Sequence, residues 1–187
     1  MKIGITGGIG SGKSYVCRML ERYGIQVYDC DAAAKRLMRT QPALQERLRQ
    51  LIGANVFTQE GQLDKAVVAR FLLASQNNAD ALDAVIHPAV FADFTESGMQ
   101  WMESAIMFES GINQLVDRVV IVTAPEEVRI ARIVKRDGIT ATKAREWMNR
   151  QWPQDKVRLL AHYEIVNDGN APLSPQIEQL LNKIENI

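Results

Sequence analysis

Short apolar runs recur along the chain, and between them apolar residues return every three or four positions. The first run, Met1-Lys2-Ile3-Gly4-Ile5-Thr6, suits a buried strand, and Tyr15 to Tyr23 follows with helical spacing. Gly24 marks a helix end, after which Ile25 to Asp31 reads as a second strand closing on Asp29 and Asp31. Ala32 to Arg39 reads as a helix with Asp31 as its N-cap. Residues 41–103 read as helical, with no convincing strand. Pro42 suits a first helical turn, Leu44, Leu48 and Leu51-Ile52 repeat at helical spacing, and Gly53 to Gly61 is a loop. Another helix opens at Leu63-Asp64-Lys65 and runs through Leu73; Asn77-Asn78 break it, and Ala79 to Ile86 is helical again. His87-Pro88 then ends one helix and starts the next, since Pro is well placed at a first helical position.

Ser104 to Glu109 reads as a third strand, and Arg118 to Thr123 as a fourth, rich in the β-branched residues that suit a buried sheet. Ala124-Pro125-Glu126-Glu127 opens a helix with Pro and acids in its first turn, and Asp137-Gly138 stops it. Arg129, Arg132 and Arg136 share one face of that helix. Thr140 to Arg150 is a helix capped by Thr140, and Pro153 begins another. Tyr163 to Asn167 is a fifth strand and Leu173 to Ile187 a terminal helix. Strands alternating with helices predict an α/β fold: three layers, α/β/α, around a five-stranded parallel sheet. The block over 41–103 is too long for a simple crossover and reads as an inserted, substrate-covering region.

The chemistry enters between the first strand and the first helix. Gly7-Gly8-Ile9-Gly10-Ser11-Gly12-Lys13-Ser14 fits the pattern G-x-x-x-x-G-K-[ST] in its required strand–loop–helix setting. Glycines let the backbone curl around a ligand without Cβ clashes, so that successive N–H groups form an anion nest. The helix opening near Gly12 adds unpaired N–H groups and the positive end of its dipole. This assigns Gly8, Gly10, Ser11 and Gly12 to a triphosphate cradle, Lys13 to the β- and γ-phosphates, and the Ser14 hydroxyl to Mg²⁺. The Tyr15 N–H is a candidate for the α-phosphate. Ligands of open α/β sheets bind beyond the carboxyl ends of the strands, where Asp29 and Asp31 also fall.

Composition narrows the class. Of 187 residues, 47% are hydrophobic, and 22 basic residues balance 22 acidic ones, which does not point to nucleic acid. Between Arg129 and Arg158 nine Lys/Arg meet three Asp/Glu, a basic stretch with meaning in a protein that handles phosphate. Cys17 and Cys30 lack metal-ligand spacing and read as buried structural thiols. No run reaches the about 18 apolar residues of a membrane helix, and the first strand is not a signal peptide, so a cytoplasmic location is expected.

Together these residues resemble the dephospho-coenzyme A kinase family. The resemblance rests on Thr6 to Ser14, Asp29-Cys30-Asp31, His87-Pro88 and Phe108-Glu109, and continues through Arg132, Arg136-Asp137-Gly138, Gln151 and Asn167-Asp168-Gly169. It implies a P-loop nucleotide triphosphate hydrolase fold in one domain. Its parts would be a core (about 1–40, 104–135 and 160–187), a helical CoA-binding insert (about 41–103) and a lid (about 136–159). It implies transfer of the ATP γ-phosphoryl group to the ribose 3′-hydroxyl of dephospho-CoA. Asp31 would be the base; Lys13 and Arg136 would stabilise the phosphoryl group; Arg132 and Asn167 would join the ATP site. His87, Phe108 and Glu109, with Asp31, would hold the acceptor. ATP and Mg²⁺ are the implied small molecules, with no nucleic acid or membrane partner and a monomer or weak homo-oligomer expected.

The chain departs from the family pattern in places. Ala105-Ile106-Met107 stands where Pro-Leu-Leu is common, Arg129 where Gln is, Trp147 where Arg is, and Ala161-His162 where Ala-Asp is. Another small-molecule P-loop kinase, of nucleoside monophosphate or shikimate type, shares the loop, the sheet and an arginine lid. A GTPase switch needs Asp-x-x-Gly, and no Gly here has Asp three residues before it.

Overall fold

The computed structural model describes residues 1–186, so the expected helix end at Ile187 lies outside the described residues. Five strands, β1 (Ile3–Thr6), β2 (Val27–Asp29), β3 (Trp101–Glu103), β4 (Arg118–Thr123) and β5 (Tyr163–Val166), form one sheet in the order β2-β3-β1-β4-β5. β1 runs parallel to both β3 and β4, and β4 runs parallel to β5. Parallel neighbours demand helical crossovers, and helices surround the sheet in the expected three-layer arrangement. The chain divides into two compact units: Met1–Tyr28 with the chain from Met99 onward, and Asp29–Gly98.

In the first unit the sheet core joins Ile3 and Ile5 of β1, Val120 and Val122 of β4 and Ile165 of β5 to α1 (Lys13–Glu21) and α9 (Leu173–Glu185), through Val16, Leu20, Ile177 and Leu180. Burying each such side chain contributes about 1.5–3 kcal/mol. A smaller cluster holds α6 (Glu126–Asp137) to α7 (Ala141–Met148): Ile130, Ile133 and Ala144 are buried, with Ile9, Trp147 and Met148 packed around them. α8 (Gln154–Leu160) follows Pro153 and leads into β5. Among the described residues no helix is long and apolar enough to cross a membrane.

The second unit is all helix. α2 (Cys30–Thr40) and α3 (Pro42–Ile52) pack on α5 (Gln76–Ser97), with α4 (Lys65–Ala74) against α3 and α5. Its buried apolar side chains include Leu37, Leu44, Leu48, Val56, Leu82, Val90 and Phe94. The unit takes in α2 and ends at Gly98, so Trp101–Glu103 belongs to the sheet unit.

Three local expectations are corrected. The second strand stops at Asp29, whose carboxylate accepts the Ala32 N–H at 2.9 Å; Asp29, not Asp31, is the N-cap, and Cys30 and Asp31 lie inside the helix. The Ala32-Ala33-Ala34 run favours helix, so the cap draws the boundary forward. The third strand is Trp101–Glu103 rather than Ser104–Glu109. Ser104 Oγ accepts the Ile106 N–H at 3.3 Å and turns the chain, which buries Met107 completely beside Gly4. Finally, Asn77-Asn78 do not break a helix and His87-Pro88 do not end one. Ser75 caps α5 through Asn78 N–H, and the helix runs on through Pro88. Pro88 removes one backbone bond, a loss offset by the burial of Leu82, Val90 and Phe94 on the same helix.

Candidate active site

β1 ends in the glycine loop, and the loop's backbone carries the geometry. Gly10 has φ 82° and Gly12 φ 89°, conformations that side chains disfavour. There is no room for one either: a Cβ at Gly10 would lie 2.6 Å from the Arg129 carbonyl oxygen, and one at Gly12 would fall on the Asn167 amide. Gly12 is the N-cap of α1 and offers no side-chain cap to the first-turn N–H groups. Ser11 N–H donates to the Gly8 carbonyl at 3.0 Å and Tyr15 N–H to the Gly12 carbonyl at 2.9 Å, closing two tight turns. The Tyr15 N–H expected at the α-phosphate thus has an internal acceptor.

A collar of polar side chains takes up the loop's carbonyls. Arg129 Nε donates to Ile9 O at 2.9 Å. Arg132 Nη1 donates to Gly10 O at 3.3 Å and Ser11 O at 3.2 Å, and Asn167 Nδ2 donates to Ser11 O at 2.8 Å. Arg132 also bonds Asn167 Oδ1 at 3.3 Å, and the Ile9 N–H donates to Gln151 Oε1 at 2.8 Å. With three successive carbonyls drawn to cations and amides, the loop is fixed as a nest whose partial charge favours an anion. Arg129 is buried at 7% exposure, and that burial lowers its pKa, opposed by Glu126. Its support of the loop was not expected from sequence; its place on one face with Arg132 was the available signal. The Ser11 hydroxyl is buried without a hydrogen-bond partner among the described residues.

Lys13 and Ser14 open α1 and converge on an acid that the sequence reading missed. Glu103, at the end of β3 and 7% exposed, lies 3.5 Å from Lys13 Nζ through Oε1, which also accepts from Ser14 Oγ at 3.3 Å. Its other oxygen accepts from Cys17 Sγ at 3.0 Å. Strand pairing sets Glu103 beside Ile5, two residues before the loop begins. The visible signal was a lone acid closing the apolar pair Trp101-Met102.

The sheet unit holds three further candidates, Arg136, Phe108 and Glu109. Arg136, in the last turn of α6, is exposed and bonded to Asp137, with Nη2 to Oδ2 at 2.8 Å. That bond raises the Arg136 pKa and lowers that of Asp137. Phe108 and Glu109 sit in the turns after β3, where Glu109 Oε1 accepts the Trp152 N–H at 3.0 Å. In the helical unit, Asp31 is exposed in the first turn of α2. His87, half-buried on α5, stacks on Phe91 with ring centroids 6.1 Å apart and has Nε2 3.6 Å from Asp83.

A family model described as dephospho-CoA kinase matches residues 1–172. The dephospho-CoA kinase of Bacteroides fragilis (strain YCH46) is 39% identical, over 97% of this chain and 91% of its own length. That of Chlorobaculum tepidum is 35% identical, over 97% and 94%. A solved structure from Thermus thermophilus matches 100% of this chain and 96% of its own with a TM-score of 0.81 at 29% identity. The dephospho-CoA kinase structure from Campylobacter jejuni covers both chains fully with a TM-score of 0.70 at 19% identity, a likeness of fold. The family match takes in the glycine loop, the Glu103 strand, the arginine helix and Asn167, and the relatives align along nearly their whole lengths: the chain belongs to the dephospho-CoA kinase family.

Proposed function

We propose that the protein transfers the γ-phosphoryl group of ATP to the ribose 3′-hydroxyl of dephospho-CoA, giving CoA and ADP, the last step of coenzyme A biosynthesis, in the cytoplasm. The observation that carries this reading is the collared loop. Its carbonyls are bound from behind by Arg129, Arg132 and Asn167, and Lys13 and Ser14 stand at its helical end, within a family-wide match.

Phosphoryl transfer depends on positioning and charge neutralisation more than on covalent work. In this reading the loop N–H groups and Lys13 bind the phosphates, and Tyr15 stands in the first turn of the helix behind them. Arg132 and Asn167 keep the loop in shape. Asp31 takes the proton of the attacking 3′-hydroxyl while the bond from the γ-phosphorus to the ADP oxygen breaks. Arg136 joins the phosphates by leaving Asp137 as a lid over about 136–159 closes, and closure keeps water from the phosphoryl group. The Asp29–Gly98 unit, with His87, carries the acceptor, and Phe108 and Glu109 are the acceptor-binding candidates of the sheet unit. Mg²⁺ fits the donors present: the Ser14 hydroxyl and a carboxylate oxygen 3.3 Å away are hard oxygen ligands. When bound, the ion neutralises charge on the phosphates.

Phosphorus NMR of a reaction with ATP, Mg²⁺ and dephospho-CoA tests the reading. A new ribose 3′-phosphomonoester signal is expected as the ATP γ signal disappears. ATP consumed to inorganic phosphate, with dephospho-CoA unchanged, would contradict it.

A further inference from the structure

Arg129 is a buried cation in the collar of the loop, and most of its donors are unspent. The residue is 7% exposed. Among the described residues its guanidinium makes one hydrogen bond, from Nε to Ile9 O at 2.9 Å, and no ion pair. The other arginines of the same helix are committed. Arg132 gives Nη1 to Gly10 O and Ser11 O and Nη2 to Asn167 Oδ1, and Arg136 is paired with Asp137. A buried cation without a counter-charge is costly, and burial pulls the Arg129 pKa down. An anion beside it would remove that cost. The free end is also placed: a Cβ at Gly8 would fall on Arg129 Nη2 and lie 3.0 Å from Cζ, so the guanidinium fills the side-chain space of a residue of the phosphate cradle.

We propose that Arg129 is a further catalytic residue: Nε holds it to Ile9 O, and its Nη groups donate to oxygens of the γ-phosphoryl group of bound ATP. The contact transfers no proton. It sets positive charge against the oxygens that share the developing charge while the bond from the γ-phosphorus to the ADP oxygen breaks and the bond to the acceptor oxygen forms. Arginine suits this place because its fork matches phosphate and its charge survives burial. Arg129 is also a position at which the chain departs from the family pattern, so the contact is a property of this protein's own sequence. The alternative role, tying down the Ile9 carbonyl alone, concerns ATP and ADP equally and needs no charge.

The proposal rests on the ATP reading of the loop, and its test needs no acceptor. Calorimetry with Mg²⁺ measures ATP and ADP affinity in the native protein and in two variants whose fold circular dichroism confirms. Gln carries a side-chain nitrogen as many bonds from the backbone as Arg Nε, so Arg129→Gln keeps a donor for Ile9 O while losing the charge and both Nη groups. In Arg129→Gln the ratio of ATP to ADP affinity falls about tenfold or more, with ADP affinity near native. In Arg129→Lys, which keeps the charge without the fork, the ratio falls by less. A ratio unchanged in either folded variant, or a larger fall in Arg129→Lys than in Arg129→Gln, assigns Arg129 to the loop alone. Either result overturns the proposal and leaves the kinase reading intact. Native protein that binds neither nucleotide overturns both.

Discussion

At the smallest scale, the proposed reaction gives phosphate binding to the loop residues and the proton to Asp31. The loop was legible because glycine, lysine and serine occur at a fixed spacing for a reason that the backbone exposes: positive φ at Gly10 and Gly12, with Arg129 and Asn167 filling the space of a side chain. Asp31 has no such environment. It is an exposed carboxylate in the first turn of α2, free of the capping duty that belongs to Asp29, and therefore available to accept a proton. Asp31→Asn removes the acceptor lone pair's charge at unchanged size. Turnover is expected to fall by about 100- to 10,000-fold with ATP affinity retained, as steady-state kinetics and calorimetry would report. Normal turnover would remove Asp31 as the base. Glu103 was the residue least legible in advance. A single acid after Trp101-Met102 reads as the edge of a strand, and only pairing with β1 reveals that it is buried against Lys13 and Ser14.

At the scale of elements, two readings failed where a side chain overruled the hydrophobic pattern. Asp29 ended β2 early by capping α2, and Ser104 turned the following apolar run away from the sheet. His87-Pro88 looked like a boundary because proline disfavours a helix interior, yet the buried face of α5 carries the helix past it. β4, whose Val and Ile suit a strand buried on both faces, and β5, whose Tyr and Ile fit a half-buried pleat, were readable directly. The Asp29 cap can be tested apart from charge. Asp29→Ala is expected to cost about 1 kcal/mol of stability, whereas Asp29→Asn, which can still accept the Ala32 N–H, costs much less. Denaturant midpoints compare them. Equal loss in both would assign the effect to the carboxylate's charge rather than to the cap.

For the whole molecule, the sheet order sets the chemistry. β1 lies between β3 and β4, so the loop leaving β1 has Glu103 at the end of β3 on one side, and Asn167, just past β5, reaches it from the other. This is the carboxyl end of a parallel sheet, where open α/β folds bind ligands. The separate Asp29–Gly98 unit is what the central claim needs beyond a bare nucleotide site, since dephospho-CoA is a larger acceptor than shikimate. The most direct measurement is a coupled ADP-release assay with ATP and Mg²⁺, comparing dephospho-CoA, nucleoside monophosphates and shikimate as acceptors. The account predicts ADP release that depends on dephospho-CoA and stays at background with the others. No ADP with dephospho-CoA, or faster release with shikimate or a nucleoside monophosphate, would contradict it.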